Sequence, residues 1–422
     1  MIKRKSLDTE FNKNALTLMI GTAAAQVIPF AVTPILTRIY TPKDFGVFAL
    51  YMSIASILSA IATGRYEMAI MLPRKEGNAI NLVAVSIIIS FLVSFISIFV
   101  LIFFNSQIEN ILGYSGIYVW LLIIPFLILS CGVHQSLSFW SNRNKKYKRL
   151  AINRVVQSGA ASTLHLGLGV GGMGSAGLII GQVIGQFGAM ILLSRLVWRE
   201  DMKKLQFLKR NKMISLALKY IKLPKYNLPN AIIDALRLSG INILIAKYFT
   251  SATLGQFSLA WKIVQMPTNV IGGSLSQVFF QKLSCARKND LFDILSSFVL
   301  KASLLSAPIY YMIYLFGESV FKVVFGDEWV LAGSVASTLA PWLFLNFISL
   351  SIANVFIVIN RQEVVLMVSI IYMLVPIAIL IIFNDMKFIS ALNLISMSMS
   401  FILTMYILLA FIFTKKMKDE SN

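Results

Sequence analysis

A chain of 422 residues that is 57% hydrophobic, with a mean hydropathy of +0.77, is too apolar for a water-soluble domain. Its net charge of +20 would suit a nucleic-acid binder in a polar chain. Here it reads as lysine and arginine held on the cytoplasmic side of a membrane, so nucleic acid is not an expected partner and membrane lipid is.

In chain order, apolar runs long enough to cross a bilayer as helices predict twelve spans, at 14–36, 45–72, 79–104, 116–140, 150–170, 176–197, 226–246, 254–280, 293–316, 332–359, 364–383 and 388–413. The first run contains Ala23-Ala-Ala25, superficially a signal-peptide site. It continues well past Ala25, so an uncleaved span is expected. With the amino terminus inside, the inner segments hold 27 lysines and arginines and the outer ones 5 (Arg38, Lys43, Lys247, Lys322 and Lys387). This bias predicts a multi-pass protein with both termini in the cytoplasm.

The longest connection, 198–225, is basic and parts six spans from six. The expected domains are therefore 1–197, an amino-terminal six-helix bundle; 198–225, a cytoplasmic linker; and 226–422, a carboxy-terminal six-helix bundle. An even number of spans per half makes the halves parallel repeats. The expected fold is all-α and integral to the membrane, with two parallel six-helix bundles around a central cavity. Within the linker, Met213, Leu216, Ala217 and Tyr220 fall at helical spacing, as in a helix lying on the inner leaflet. A plain basic connector fits equally well. The outer loops 105–115 and 317–331 carry few charges, and Phe316–Gly326 reads as a short interfacial helix.

A local echo supports two related halves. Arg38-Ile-Tyr-Thr-Pro-Lys-Asp-Phe-Gly-Val-Phe-Ala-Leu50 aligns without a gap on Lys247-Tyr-Phe-Thr-Ser-Ala-Thr-Leu-Gly-Gln-Phe-Ser-Leu259. Thr41 meets Thr250, Gly46 meets Gly255 and Phe48 meets Phe257. Both copies follow the first span of their half.

Pro29 and Pro34 in span 1 each remove a backbone donor, which predicts kinks suited to a gate. Pro125, Pro267, Pro308, Pro341 and Pro376 read as single structural kinks. Gly177-x-x-x-Gly181-x-x-x-Gly185 in span 6 forms a small-residue stripe for close helix packing.

Ionisable residues at membrane depth are costly unless they face a partner or a cavity. The cations within or near the spans are Arg65, Arg154, Arg237, Lys262 and Lys301; the acids are Glu67 and Asp234. Asp234 can pair with Arg237 three residues on, and Glu67 with Arg65. Arg154 lies near the inner surface and can snorkel. The surplus positive charge predicts an anionic substrate in a water-filled cavity, with Arg237 and Lys262 foremost. Asp234 and Glu67 are the candidates for ion coupling, or are structural partners.

The two cysteines, Cys131 and Cys285, and the two histidines, His134 and His165, suggest neither a disulfide framework nor a metal site. The sequence has no phosphate-binding glycine loop, so no cofactor or metal is expected. The paired carboxylates and large outer loops of a membrane polymerase or ligase are also missing. What fits is a carrier that rocks two bundles about a central site.

Leu36–Leu50, followed by Gly64-Arg-Tyr-Glu-Met-Ala-Ile-Met-Leu-Pro73, resembles the bacterial polysaccharide flippases, the Wzx-type O-antigen and capsule translocases of the multidrug/oligosaccharidyl-lipid/polysaccharide exporter superfamily. The motif match covers about residues 15–80; the rest agrees in length, span count and layout. The resemblance implies translocation of undecaprenyl-diphosphate-linked oligosaccharide repeat units across the bacterial cytoplasmic membrane by alternating access, for O-antigen or capsule assembly. It implies as partners that glycan lipid and the polymerase and chain-length proteins of the same pathway. Arg65 and Glu67 lie inside the matching motif; Arg154, Arg237, Lys262 and Lys301 rest on the charge argument alone. The competing expectations are a peptidoglycan-precursor flippase and a multidrug antiporter of the same fold. A flippase of the former kind would usually carry extra spans, and a carrier of cationic drugs would want an acidic cavity.

Overall fold

The computed structural model describes residues 2–112 and 116–419; the side chains of 2–20, which include the amino-terminal basic cluster, and of 105, 110, 111, 238 and 274 lie outside what is described, as do residues 113–115 of the expected outer loop. The chain divides into two compact units, Met1–Lys247 and Tyr248–Asn422. The first is built from α1 (Ile2–Ile39), α2 (Pro42–Ile61), α3 (Glu76–Phe103), α4 (Asn105–Leu112), α5 (Tyr118–Leu121), α6 (Ile124–Arg143), α7 (Tyr147–Val170), α8 (Ser175–Asp201), α9 (Arg210–Lys219) and α10 (Leu228–Tyr248). The second holds α11 (Ser251–Val264), α12 (Gly273–Ser284), α13 (Leu291–Phe325), α14 (Val330–Val358), α15 (Gln362–Ile382) and α16 (Phe388–Asp419).

Every expected span overlaps at least one α-helix. Among the described residues nine helices are long and apolar enough to cross a membrane, or ten with Leu223–Arg237 and Ser239–Tyr248, which are bent by 44°. The other two expected spans depart for visible reasons. Helix α7 carries Lys148, Arg149 and Arg154 in its opening turns. Expected span 8 is divided by a π-helical turn, Thr268–Gly272, into α11 and α12.

The turn 38–50 shows why its residues are chosen. Thr41 N-caps α2, Pro42 takes the first helical position, where its missing N–H costs nothing, and Asp44 closes a capping box. The Asp44 carboxylate accepts from the Thr41 backbone N–H at 3.1 Å and the Thr41 hydroxyl at 2.7 Å. Its other oxygen accepts from the backbone N–H of Ser175 at 2.8 Å, at the start of α8, where a carboxylate is favoured by the helix dipole. Tyr40, buried, donates its hydroxyl to the His165 carbonyl at 2.6 Å. Burial, with the Asp44 charge adding to it, pushes the Tyr40 phenol up to about 12, so it stays a donor. The turn is thus a clasp across α1, α2, α7 and α8. Its echo repeats the cap alone: Thr250 accepts from the Thr253 backbone N–H at 3.1 Å, and α11 begins 209 residues after α2.

The glycine stripe of α8 does what its spacing predicts. A Cβ on Gly181 would lie 2.5 Å from His165 Cδ2, and one on Gly185 2.8 Å from Ala161 Cβ. Helix α7 therefore approaches closer than any side chain would allow. Helix α1 runs through Pro29 and Pro34 without interruption. Pro29 leaves the Ala25 carbonyl without its usual donor, and the Ser158 hydroxyl of α7 supplies one at 2.5 Å.

Four expectations need correction. Span 2 is not one helix from 45 to 72: α2 stops at Ile61, Gly64 and Arg65 take left-handed φ of 57° and 64°, and Tyr66–Met71 is a 3₁₀ turn. Pro125 does not sit inside a continuous helix: it stands in the first turn of α6, just after the break at 122–123 that ends α5. The segment 316–326 is no separate interfacial helix; it is the last part of α13, which nothing breaks until Gly326 at φ 108°. The linker is folded rather than loose. Asn81 of α3 donates to the Phe207 carbonyl at 2.9 Å and accepts from the Lys209 N–H at 2.9 Å. The predicted face of α9, with Leu216 buried and Met213, Ala217 and Tyr220 partly so, packs on protein around Tyr66, Ile80 and Leu137 rather than on lipid.

Candidate functional site

The motif residue Glu67 has a fully buried carboxylate. Thr63 donates its hydroxyl to one oxygen; Gln135 of α6 donates to the other at 3.2 Å, and Arg65 Nη1 lies 3.5 Å from it. A buried carboxylate needs such donors, because an unpaired charge in this setting would be far costlier than the bonds it makes. Arg65 reaches it from a left-handed backbone, and its side chain keeps 27% exposure. Beneath this cluster Arg143 of α6 donates to the carbonyls of Ile70 and Met71 at 3.0 Å, tying down the 3₁₀ turn. At the same end Arg149 bridges Asp201 at 3.3 Å, and Trp140 donates to Asp201 at 3.1 Å.

On α10, Asp234 and Arg237 pair at 3.4 Å, as their spacing predicts; Arg237 keeps 36% exposure and Asp234 56%. One turn on, the helix presents neutral polar groups to α2. Ser239 and Ser56 hydroxyls lie 2.7 Å apart, and Asn242 donates to Ser53 at 2.9 Å. Arg237 and Ser239 are about 200° apart around the helix, so the ion pair points away from that seam. The 44° bend falls between the two sets. Arg154, exposed on α7, donates to the Thr22 hydroxyl of α1.

In the second unit Lys262 is exposed near the carboxy-terminal end of α11. The π-helical turn follows directly, its Thr268 hydroxyl 3.1 Å from that of Tyr310, which also donates to the Val264 carbonyl at 3.3 Å. Such π turns re-aim a helix and recur at functional positions. Lys301 is exposed on α13 about 15 Å from the start of that helix, between the exposed Leu300 and Leu304.

The structure therefore joins Arg65 to Glu67 and Asp234 to Arg237, and leaves Arg154, Lys262 and Lys301 on separate helices. Sequence reasoning about charge missed Thr63, Gln135, Ser53, Ser56, Ser239 and Asn242. Spacing could have found the last four: Ser53 and Ser56, and Ser239 and Asn242, are each polar pairs three apart inside apolar runs. A hollow of about 480 Å³ lined by residues such as Ile54, Leu58, Val93 and Ile243 is apolar apart from Ser97 and offers no charge to a charged headgroup. Among the described residues there is no group of three or more His, Cys, Asp or Glu able to hold a metal. Chemically, each of the two acids holds an arginine, and Arg154, Lys262 and Lys301 are accessible cations on separate helices.

The family model described as polysaccharide biosynthesis protein matches residues 35–336. No curated protein matches the chain. Among solved structures, the chain is similar to the lipid II flippase MurJ in an inward closed conformation, at 15% identity and a TM-score of 0.71, over 94% of this chain and 87% of that one. It is also similar to a multidrug resistance MATE family transporter of the MOP superfamily in its inward-facing conformation, at 13% identity and a TM-score of 0.62, over 96% and 94%. A MOP superfamily transporter from Pyrococcus furiosus, described as having reversed polarity of its binding pocket, matches at 15% identity and a TM-score of 0.56, over 96% and 94%. These likenesses establish the fold as that of the MOP transporters.

Proposed function

Because the chain belongs to the family of polysaccharide biosynthesis proteins and has the fold of a membrane transporter, we propose that it flips undecaprenyl-diphosphate-linked oligosaccharide repeat units across the bacterial cytoplasmic membrane for O-antigen or capsule assembly. The observation that carries the choice of cargo is the charge within or near the spans: five cations, Arg65, Arg154, Arg237, Lys262 and Lys301, against Glu67 and Asp234. Glu67 is already engaged with Arg65, and Asp234 with Arg237. Five cations against two acids favour a diphosphate or acidic sugar over a cationic drug. Alternating access, with both termini in the cytoplasm, completes the reading.

A second cargo, a peptidoglycan precursor, has one specific support: the likeness to a structure described as a lipid II flippase. Loss of the gene in a polymer-producing strain separates the readings. Lipid-linked repeat units should accumulate in the inner leaflet and surface polymer should vanish, with drug sensitivity and peptidoglycan synthesis unchanged. Retained polymer together with a halt in peptidoglycan synthesis would move the cargo to the second reading, and a change confined to drug sensitivity would remove both.

A further inference from the structure

Helix α9 has a broader apolar surface than the protein covers. At about 100° per residue, Met213, Leu216, Ala217 and Tyr220 occupy the face packed on α3 and its neighbours. The Ala217 carbonyl also accepts the Tyr66 hydroxyl at 3.0 Å. Adjacent to that face Ile214 and Leu218 form a second apolar stripe, continued by Ile221 in the turn after the helix; the three are exposed by 53%, 66% and 49%. The remaining arc and the helix ends are basic. From Met202 to Ile233 the chain has eight lysines and arginines and no acid. Of these Lys204 is paired, with Glu76 and Asp201, while Arg210, Lys212, Lys219 and Lys222 make no ion pair among the described residues. An exposed apolar stripe beside a field of unpaired cations, on the side that the charge bias makes cytoplasmic, is complementary to one surface in both chemistries.

We propose that α9 and its flanking cations form a binding surface for anionic phospholipid of the inner leaflet, with Ile214, Leu218 and Ile221 among the acyl chains and Arg210, Lys212, Lys219 and Lys222 on the headgroup phosphates. The site stands apart from the cargo and does not depend on which cargo is carried. It also reaches the motif: the hydrogen bond from Tyr66 fastens α9 to the 3₁₀ turn that holds Glu67, so lipid seated on α9 steadies that turn.

The test uses the full chain with Cys131→Ser and Cys285→Ser, labelled with a fluorophore at Leu218→Cys, in vesicles of phosphatidylcholine with or without phosphatidylglycerol. A second label at Leu300→Cys, exposed on α13, reads the bulk bilayer. Brominated phosphatidylglycerol should quench the Leu218 label more than the same fraction of brominated phosphatidylcholine, with no such preference at Leu300. Each of Lys212→Gln, Lys219→Gln and Lys222→Gln should cut the preference about fivefold, the equivalent of ~1 kcal/mol per basic residue at an anionic surface, and raised salt should cut it further. These are exposed side chains, and monodisperse elution of each variant checks folding. Equal quenching by the two lipids, or a preference that survives the triple substitution, overturns the headgroup assignment. No quenching by either lipid at Leu218, with normal quenching at Leu300, overturns the membrane contact itself.

Discussion

Replacing Asp44 by alanine removes three accepted hydrogen bonds at once. Two belong to the cap of α2, at 3.1 and 2.7 Å from Thr41, and a lost cap costs about 1 kcal/mol. The third, 2.8 Å from the Ser175 N–H, joins a carboxylate to the first turn of another helix; charge-assisted bonds contribute about 1.5–3 kcal/mol, and partial exposure puts this one at the low end. The sum is about 2–3 kcal/mol. For a unit of this size roughly 2–4 °C of midpoint accompanies each kcal/mol, so Asp44→Ala should lower the apparent Tm by about 5–10 °C. Thermal challenge of detergent-purified protein, followed by size-exclusion chromatography, reads this directly. Asp44→Asn, which keeps an acceptor without the charge, should fall between wild type and alanine. Thr253→Ala at the equivalent position of the echo removes only a hydroxyl contact with Thr250 at 2.9 Å and should shift Tm by less than a third as much. If Asp44→Ala behaves like Thr253→Ala, the clasp does not hold the helices together and the account of the motif is wrong.

Arg237→Ala and Lys262→Ala should each abolish surface polymer at normal membrane levels of protein, checked by immunoblot of membranes beside polymer staining; full polymer from both would end the cationic-path argument. Gly185→Val should destabilise the first unit by about 1–3 kcal/mol, because the added carbons meet Ala161 backbone rather than a movable side chain end, and thermal unfolding in detergent measures it. Ser158→Ala should lower the midpoint by leaving the Ala25 carbonyl undonated, whereas adding Pro29→Ala restores a backbone N–H; the double variant should therefore be more stable than Ser158→Ala alone, and a deficit that stays the same would refute the pairing. Tyr40 titrates near 12 when folded against about 10 unfolded, so the unfolded state loses its proton first; stability falls as pH rises between those values, and Tyr40→Phe should flatten that part of the profile in a pH series of unfolding midpoints.

Runs of about twenty apolar residues and the alternation of lysine and arginine made the spans legible, because hydrocarbon thickness and the cost of moving cations are strict constraints. Spacing alone placed the stripe Gly177–Gly185 and the pair Asp234–Arg237. Position within the apolar run misled where backbone geometry decides. Arg65 and Glu67 looked like two charges near the end of a helix; the left-handed Gly64 and Arg65 make them part of a folded turn. The partners of Glu67 were hidden because Gln135 lies 68 residues away and is neutral. The face Met213–Tyr220 is amphipathic as its spacing predicts, but periodicity does not distinguish protein from lipid as the cover of an apolar stripe. The caps at Thr41 and Thr250 show that the echo of 38–50 at 247–259 extends to hydrogen bonding, while Asp44, with no acidic counterpart at Thr253, shows where the halves part.

The clasp also constrains how the protein is made. Tyr40 bonds to a residue 125 positions later and Asp44 to one 131 positions later. Helices α1 and α2 therefore leave the translocon with that hydroxyl and carboxylate lacking their distant partners, and α3 and α6 must be inserted before α7 and α8 arrive. The Thr41–Asp44 cap, which needs only neighbours, keeps the start of α2 shaped during the wait. Contacts closed over so long a loop form late. A chain interrupted before Ser175 therefore holds its first spans without their latch, exposed to membrane quality control until the α7–α8 hairpin enters.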